Sequence, residues 1–140
     1  MPVHPEVRQI RVLCVDDLPH IRAVIKLVVD GEDDLKCIGC RESADNLVQD
    51  VRDLNAEVVL LDATMVGVDP FQAMSELSRA IPKVKTIIYS GYDDQDFIDR
   101  ALESGAWGYV SKYDAPEEIV RAVRAVAAGN TFLPTTSKGR

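Results

Sequence analysis

The sequence predicts an α/β domain: a five-stranded parallel sheet in the order 2-1-3-4-5, with helices on both faces. Two observations carry that prediction. Short apolar runs alternate five times with segments of helical periodicity, with no long linker between them, which is the pattern of successive βα units. Polar residues close four of the five apolar runs: Asp16-Asp17, Asp62, Ser90 and Lys112. Right-handed crossovers leave few topologies, and this order sets the ends of the first and third strands side by side at a switch point.

The elements are taken in order. Ile10 to Val15 is the first strand, apolar except for Arg11, and Asp16-Asp17 come directly after it. Leu18-Pro19 opens a helix, since proline is tolerated in the first turn. Ile21, Val24, Ile25 and Val28 give that helix one apolar face. Leu35 to Cys40 is the second strand, and Ser43 is a candidate cap for a helix bearing Ala44, Leu47, Val51 and Leu54. Val58-Val59-Leu60-Leu61 runs directly into Asp62. So short an apolar run, rich in β-branched residues, reads as a strand buried on both faces. Asp69-Pro70 pairs an N-cap with an N1 proline, ahead of a helix facing inward through Phe71, Met74, Leu77 and Ile81. Val84 to Tyr89 is the fourth strand, and Ser90-Gly91 end it. Asp93 is placed to cap the fourth helix, with Phe97, Ile98, Ala101 and Leu102. Gly105 suits the C′ position. Trp107 to Ser111 is the fifth strand, ending at Lys112. Pro116-Glu117-Glu118 begin the last helix, where acids suit the N-terminal dipole, and Ile119, Val123 and Val126 face inward before Gly129. The domain boundaries expected are an extension over 1–9, one domain over 10–129 and a poorly ordered tail over 130–140.

Composition narrows the classes of function. A chain of 140 residues, 46% apolar and 28% charged, suits one soluble domain. No apolar run has the length of a membrane span, and Met1-Pro2-Val3-His4-Pro5 lacks a secretory core, so the expectation is a cytoplasmic protein with no membrane partner. The net charge of −7 argues against direct nucleic-acid binding, which needs a basic face. Cys37-Ile38-Gly39-Cys40 has the CxxC spacing, but in a regular strand an odd separation puts the two side chains on opposite faces. A redox pair usually opens a helix, and zinc needs further ligands that His4 and His20 do not supply. These residues and Cys14 therefore read as ordinary strand cysteines.

The acids carry the chemistry. Three carboxylates converging on one crevice repel one another by about 3 kcal/mol per pair, at about 5 Å and an effective dielectric of about 20. A hard divalent cation relieves that, and Mg²⁺ prefers oxygen ligands. Lys112 adds a fixed positive charge. An acid, a cation and a lysine together supply what phosphoryl transfer requires: a nucleophile, and charge to stabilise the equatorial oxygens. Ser90 can donate to a phosphoryl oxygen, and Gly91 leaves access open. Taken singly, each residue has a plain structural reading: Asp16 or Asp17 as a cap, Ser90 as a turn residue, Lys112 as a solvated side chain. Their joint placement at neighbouring strand ends favours a site.

With Asp16-Asp17, Asp62 ahead of Met65 and Gly67, Ser90-Gly91, and Gly105-Ala106-Trp107-Gly108-Tyr109-Val110-Ser111-Lys112 in this order and spacing, the chain from about Ile10 to Gly129 resembles the receiver domain of two-component response regulators, whose fold is the flavodoxin-like (βα)5 sheet. The resemblance implies that Asp62 accepts a phosphoryl group from a sensor histidine kinase or phosphotransfer protein. It implies that Asp17, Asp62 and the Thr64 carbonyl ligate Mg²⁺, with Asp16 acting through water. It further implies that Ser90 and Lys112 hold the phosphoryl group, and that Tyr109 is a switch aromatic moving with Ser90. The face of the fourth helix, fifth strand and fifth helix would then serve a homodimer or a partner. Val66 stands where proline is usual and Pro70 where glycine is usual, so the loop after Asp62 departs from the pattern. Ser90-Gly91-Tyr92-Asp93-Asp94 and Ala125 to Gly129 resemble receivers that precede LuxR-type helix-turn-helix domains, and the tail from Asn130 is too short for one. The chain is expected to be a phosphorelay acceptor rather than an enzyme. The alternatives are an aspartate-nucleophile phosphohydrolase, similar to haloacid dehalogenase-like enzymes or P-type ATPases, and a degenerate receiver acting only as a protein-binding module.

Overall fold

A computed structural model describes residues 8–65, 67–92 and 94–134. Its elements are β1 (Ile10–Val15), α1 (Pro19–Asp30), β2 (Leu35–Arg41), α2 (Leu47–Leu54), β3 (Val58–Asp62), α3 (Pro70–Ala80), β4 (Lys85–Ser90), α4 (Gln95–Glu103), β5 (Gly108–Ser111) and α5 (Glu117–Ala127). The strands form one sheet in the order β2-β1-β3-β4-β5, every pair parallel. The predicted architecture is the observed one. Among the described residues, no helix is long and apolar enough to cross a membrane.

Strand periodicity divides the core into two layers. Leu13, Val15, Val59, Leu61 and Ile88 point to one face, where Leu47, Val51, Phe71, Met74, Leu77, Ile98 and Ala101 of α2, α3 and α4 cover them. Val12, Cys14, Val58, Leu60 and Ile87 point to the other, under Ile25 and Val29 of α1 and Ile119, Val123 and Val126 of α5. All five residues of β3 are buried. This is why its sequence runs continuously apolar instead of alternating. Truncating a side chain such as Leu60 or Leu61 to alanine would cost about 2–5 kcal/mol.

Several local readings shift. On α1 the buried stripe centres on Ile25 and Val29, while Val24 is 44% exposed. Val24 sits about 100° round the helix from Ile25, enough to leave the core. Ser43 does not cap α2; its Oγ accepts from the Asp45 amide in a turn, and the helix starts at Leu47. The Ser43–Asn46 stretch has the short polar side chains that compete with helix for backbone hydrogen bonds. Asp69 caps α3 as expected, accepting from the Phe71 amide at 3.0 Å. The cap of α4 is Asp94, which accepts from the Phe97 amide at 2.8 Å, rather than Asp93; Asp93 and Val66 lie outside the described residues. Strand β4 begins and ends one residue later than expected, so Ser90 is its last residue.

Two differences change the reading of the sheet's edges. The register of β2 against β1 breaks: Val12 pairs with Cys37, but Leu13 pairs with Gly39 and Cys14 with Cys40. The extra residue, Ile38, flips the parity, and Cys37 and Cys40 fall on the same face with their sulfurs 3.8 Å apart. The expectation of opposite faces is wrong because it assumed an unbroken strand. At the other edge, the start of the expected tail is tied down. The Tyr109 amide donates to the Phe132 carbonyl at 2.8 Å, and the Phe132 amide donates to Trp107 at 3.0 Å. Phe132 thereby bridges Gly108 in parallel and covers part of the otherwise open edge of β5.

Candidate functional site

The carboxyl ends of β1 and β3 lie side by side, because residues Val12 to Val15 pair with Val58 to Leu61 in unbroken register. Asp16 comes just after the first strand and Asp62 ends the third. One carboxylate oxygen from each of Asp16, Asp17 and Asp62 lies within 4.8 Å of the others. Asp16 and Asp62 are buried, at 1% and 2% exposure, and Asp17 is the more open of the three. Lys112, just past β5, reaches over the cluster. Its ammonium lies 3.1 Å from Asp62 Oδ1 and 3.3 Å from Asp16 Oδ2.

Local hydrogen bonds fix both buried acids. The Leu18 amide donates to Asp16 Oδ1 at 2.9 Å. The Arg22 guanidinium donates to the Asp16 carbonyl at 2.7 Å, and the Asp16 amide donates to Arg41 of β2. The Thr64 amide and hydroxyl both donate to Asp62 Oδ1, at 3.0 Å and 3.2 Å. Burial raises the Asp16 carboxyl above the usual carboxylate range, against the Leu18 amide's opposing pull; the neighbouring Asp62 charge raises it further. Burial by itself would lower the Lys112 ammonium, but the Asp16 and Asp62 carboxylates outweigh it and hold that group above its ordinary value. The lysine is therefore a permanent cation at neutral pH.

The donor set suits a hard cation. It consists of oxygens alone, it is crowded with negative charge, and buried Asp16 Oδ2 has no hydrogen-bond partner among the described residues. Lys112 compensates Asp16 Oδ2 as an ion pair at 3.3 Å without satisfying it directionally. Asp16, Asp17 and Asp62 are the residues that could hold such an ion.

Ser90 is fully buried at the end of β4. Its Oγ accepts from the Tyr92 amide at 2.9 Å. Tyr109 is also buried, and its hydroxyl donates to the Tyr92 carbonyl. Tyr92 thus meets Ser90 through its amide and Tyr109 through its carbonyl. Phe97 packs against Tyr92 at 5.2 Å and against Tyr109 at 6.3 Å between ring centroids, and against Phe71 at 5.2 Å.

The sequence-predicted residues Asp16, Asp17, Asp62 and Lys112 come together. Thr64, expected through its carbonyl as a metal ligand, also holds Asp62 through its amide and hydroxyl. Three contributors escaped sequence reasoning. The Leu18 amide and Arg22 act on Asp16, and the Tyr89 ring lies 5.5 Å from the Lys112 ammonium. The first is a backbone group that no pattern marks, and the other two need the folded chain to bring them into range.

Comparison with known proteins agrees with this arrangement. The family model of the response regulator receiver domain matches residues 12–124. The response regulator GacA of Pseudomonas viridiflava is 33% identical over 124 residues, which are 89% of this chain and 58% of that protein. The chain thus spans less than two thirds of the curated relatives it matches. The isolated receiver domain of RcsB from Salmonella enterica serovar Typhimurium superposes with a TM-score of 0.83 at 22% identity, over 91% of this chain and 95% of that one. The signal receiver domain of NarL from Mycobacterium tuberculosis superposes with a TM-score of 0.81 at 25% identity, over 88% of this chain and 99% of that one. With the fold, the acid cluster and its lysine at the strand ends, and the family match across most of its length, the chain belongs to the response regulator receiver domain family.

Proposed function

We propose that Asp62 is the phosphoacceptor of this receiver, taking a phosphoryl group from the phosphohistidine of a sensor histidine kinase or phosphotransfer protein. The observation that carries this reading is the convergence on Asp62: Lys112 and both Thr64 donors all contact Oδ1. That leaves Oδ2 as the oxygen to attack phosphorus. The new O–P bond forms as the P–N bond of the phosphohistidine breaks, and the leaving imidazole keeps the bonding pair. Lys112 stays charged throughout and offsets negative charge on the equatorial phosphoryl oxygens. The Ser90 hydroxyl, an acceptor for Tyr92 in this structure, can turn its O–H to one of those oxygens. Asp16, Asp17, Asp62 and the Thr64 carbonyl would hold Mg²⁺, which supplies charge neutralisation during transfer.

The same contacts suggest how the signal leaves. If Ser90 swings to the phosphoryl group by rotation about χ1, its Oγ moves away from the Tyr92 amide. The Tyr92 peptide is then free to shift, and its carbonyl is an acceptor for Tyr109. Tyr109 would leave its inward position, altering the face of α4, β5 and α5, where we place a homodimer or partner contact. An aromatic ring with a polar tip can sit on either side at modest cost, and phosphorylation biases the two positions. We place the domain over 10–129, with Phe132 beyond that limit bridging the edge of β5, and we assign DNA binding to none of these residues.

Incubating the chain with a small acyl phosphate and Mg²⁺ tests the assignment. Intact-mass measurement should show one phosphoryl group on the wild-type chain and none on Asp62→Asn. Steady release of inorganic phosphate far beyond one equivalent would favour a phosphohydrolase, and equal labelling of the variant would remove Asp62 from its role. Ser90→Ala and Tyr109→Ala, labelled to the same extent, should each blunt any phosphorylation-dependent change in self-association. Parent-like responses in both would break the proposed link through Tyr92.

A further inference from the structure

Outside the acid cluster, the least expected group is the thiol pair on β2. An unbroken strand would hold the Cα atoms of Cys37 and Cys40 about 10 Å apart, at about 3.3 Å per residue. Disulfides need Cα atoms within about 7 Å. The bulge changes that limit. Cys37 pairs with Val12 and Cys40 with Cys14, so three steps along β2 span only two steps along β1, or about 6.6 Å. Bulges are rare between parallel strands. Here Ile38 packs with the opposite layer, while Cys37 and Cys40 both face the α1 side. Gly39, next to the extra residue, lies close under α2: an added Cβ would meet Leu54 Cδ1 at 2.8 Å. Both thiols are free, with sulfurs 3.8 Å apart.

We propose that Cys37 and Cys40 form a reversible intrachain disulfide, making β2 a dithiol–disulfide couple beside the acid cluster. The oxidant is a low-molecular-weight disulfide. Cys40 is half-buried and Cys37 only 6% exposed, so Cys40 reacts first. Its proton goes to solvent, and its sulfur attacks one sulfur of the small disulfide. The other half leaves as a thiolate and takes up a proton. Cys37 then releases its proton to solvent, and its sulfur attacks Cys40 Sγ, expelling the second small thiol. The protein loses two protons and two electrons, and the small disulfide gains them as two thiols. Burial, reinforced by Cys40, pushes the Cys37 thiol up to about 12. Cys14 is fully buried, and burial likewise raises its thiol; it stays reduced. In an otherwise reducing compartment, a bond of this kind is transient and sensing rather than structural.

The test uses the full chain, fully reduced, then exposed to oxidised glutathione, acid-quenched, alkylated and cut with trypsin. Lys36 and Arg41 flank the pair, so both cysteines fall in one short peptide, 37–41. That peptide should lose two hydrogens and carry no alkyl group, while Cys14 is alkylated, and reduction should restore both thiols. Cys37→Ser should stop at a glutathione adduct on Cys40, and Cys40→Ser should leave Cys37 alkylatable. The proposal is overturned by a Cys14–Cys40 bond, by a bond between two chains, by a wild-type chain that stops at the adduct as Cys37→Ser does, or by full alkylation when a small dithiol in the same tube is oxidised. Because it reads the thiols alone, the experiment is independent of whether Asp62 is phosphorylated.

Discussion

Strand β1 has two neighbours built on different rules. On one side β3 is buried over all five residues and keeps unbroken register, so counting along its sequence puts Asp62 next to Asp16. On the other side β2 is an edge strand, only partly buried, and its register breaks at Ile38. A central strand is held on both sides and on both faces, and a slip would turn its whole apolar set to the wrong layer. An edge strand has one neighbour, and a bulge there costs fewer ladder bonds. Side-chain parity can therefore be trusted for Asp62 and not for the cysteines.

The largest expected effect concerns the regular side of this comparison. Asp62→Asn should abolish phosphoryl labelling with the fold intact, because the amide keeps the shape of the carboxylate while removing the nucleophile. A circular-dichroism melt alongside the labelling separates loss of chemistry from loss of structure.

Next in size is the metal. Crowded carboxylates bind a cation only in the native state, so Mg²⁺ at about ten times its Kd should stabilise the wild-type chain by about 1.4 kcal/mol. Asp17→Asn should largely remove the Mg²⁺-dependent rise in Tm. An undiminished rise in that variant would place the ion elsewhere.

Third, Asp16→Asn should raise stability in Mg²⁺-free buffer, by on the order of 1 kcal/mol. Burial raises this carboxyl in the folded protein, so its ionised form costs stability at neutral pH, and the amide avoids that cost while keeping an acceptor for the Leu18 amide. A lowered Tm would mean that the Lys112 ion pair outweighs the cost of burial.

The smallest effect belongs to β2. Asp30 at the end of α1 accepts from the Cys37 amide at 2.8 Å and from Lys26 at 2.7 Å, pinning the strand just before its bulge. Its burial would raise the carboxyl, but these two donors win and hold it below the usual range. A depressed folded-state value means stability that is present above the unfolded pKa and lost as pH falls through the folded one. Asp30→Ala should therefore cost about 1 kcal/mol or less at neutral pH, given how exposed the pair is, and urea midpoints of parent and variant should converge in acid. A gap that persists at low pH would assign the cost to packing.

Much of the site was legible because its residues sit at strand ends, where periodicity and topology leave little freedom. Asp16, Asp17, Asp62 and Lys112 needed only the strand order to be brought together. The contacts that were missed depend on distances that a pattern cannot encode. The Arg22 contact to the Asp16 carbonyl and the Tyr89 ring near Lys112 are set by the final packing of side chains. The late start of α2 reflects local hydrogen bonding by Ser43, and the bulge at Ile38 has no marker beyond the neighbouring Gly39. Phe132 reads as the start of a tail until the open edge of β5 gives its backbone a partner.

The most direct test of the central assignment is chemical trapping of the acyl phosphate. Borohydride reduction converts a phosphorylated aspartate to homoserine, which peptide mapping locates. After phosphorylation with Mg²⁺ present, homoserine should appear at position 62 and at no other aspartate. Homoserine at position 16 or 17, with position 62 unchanged, would contradict the account.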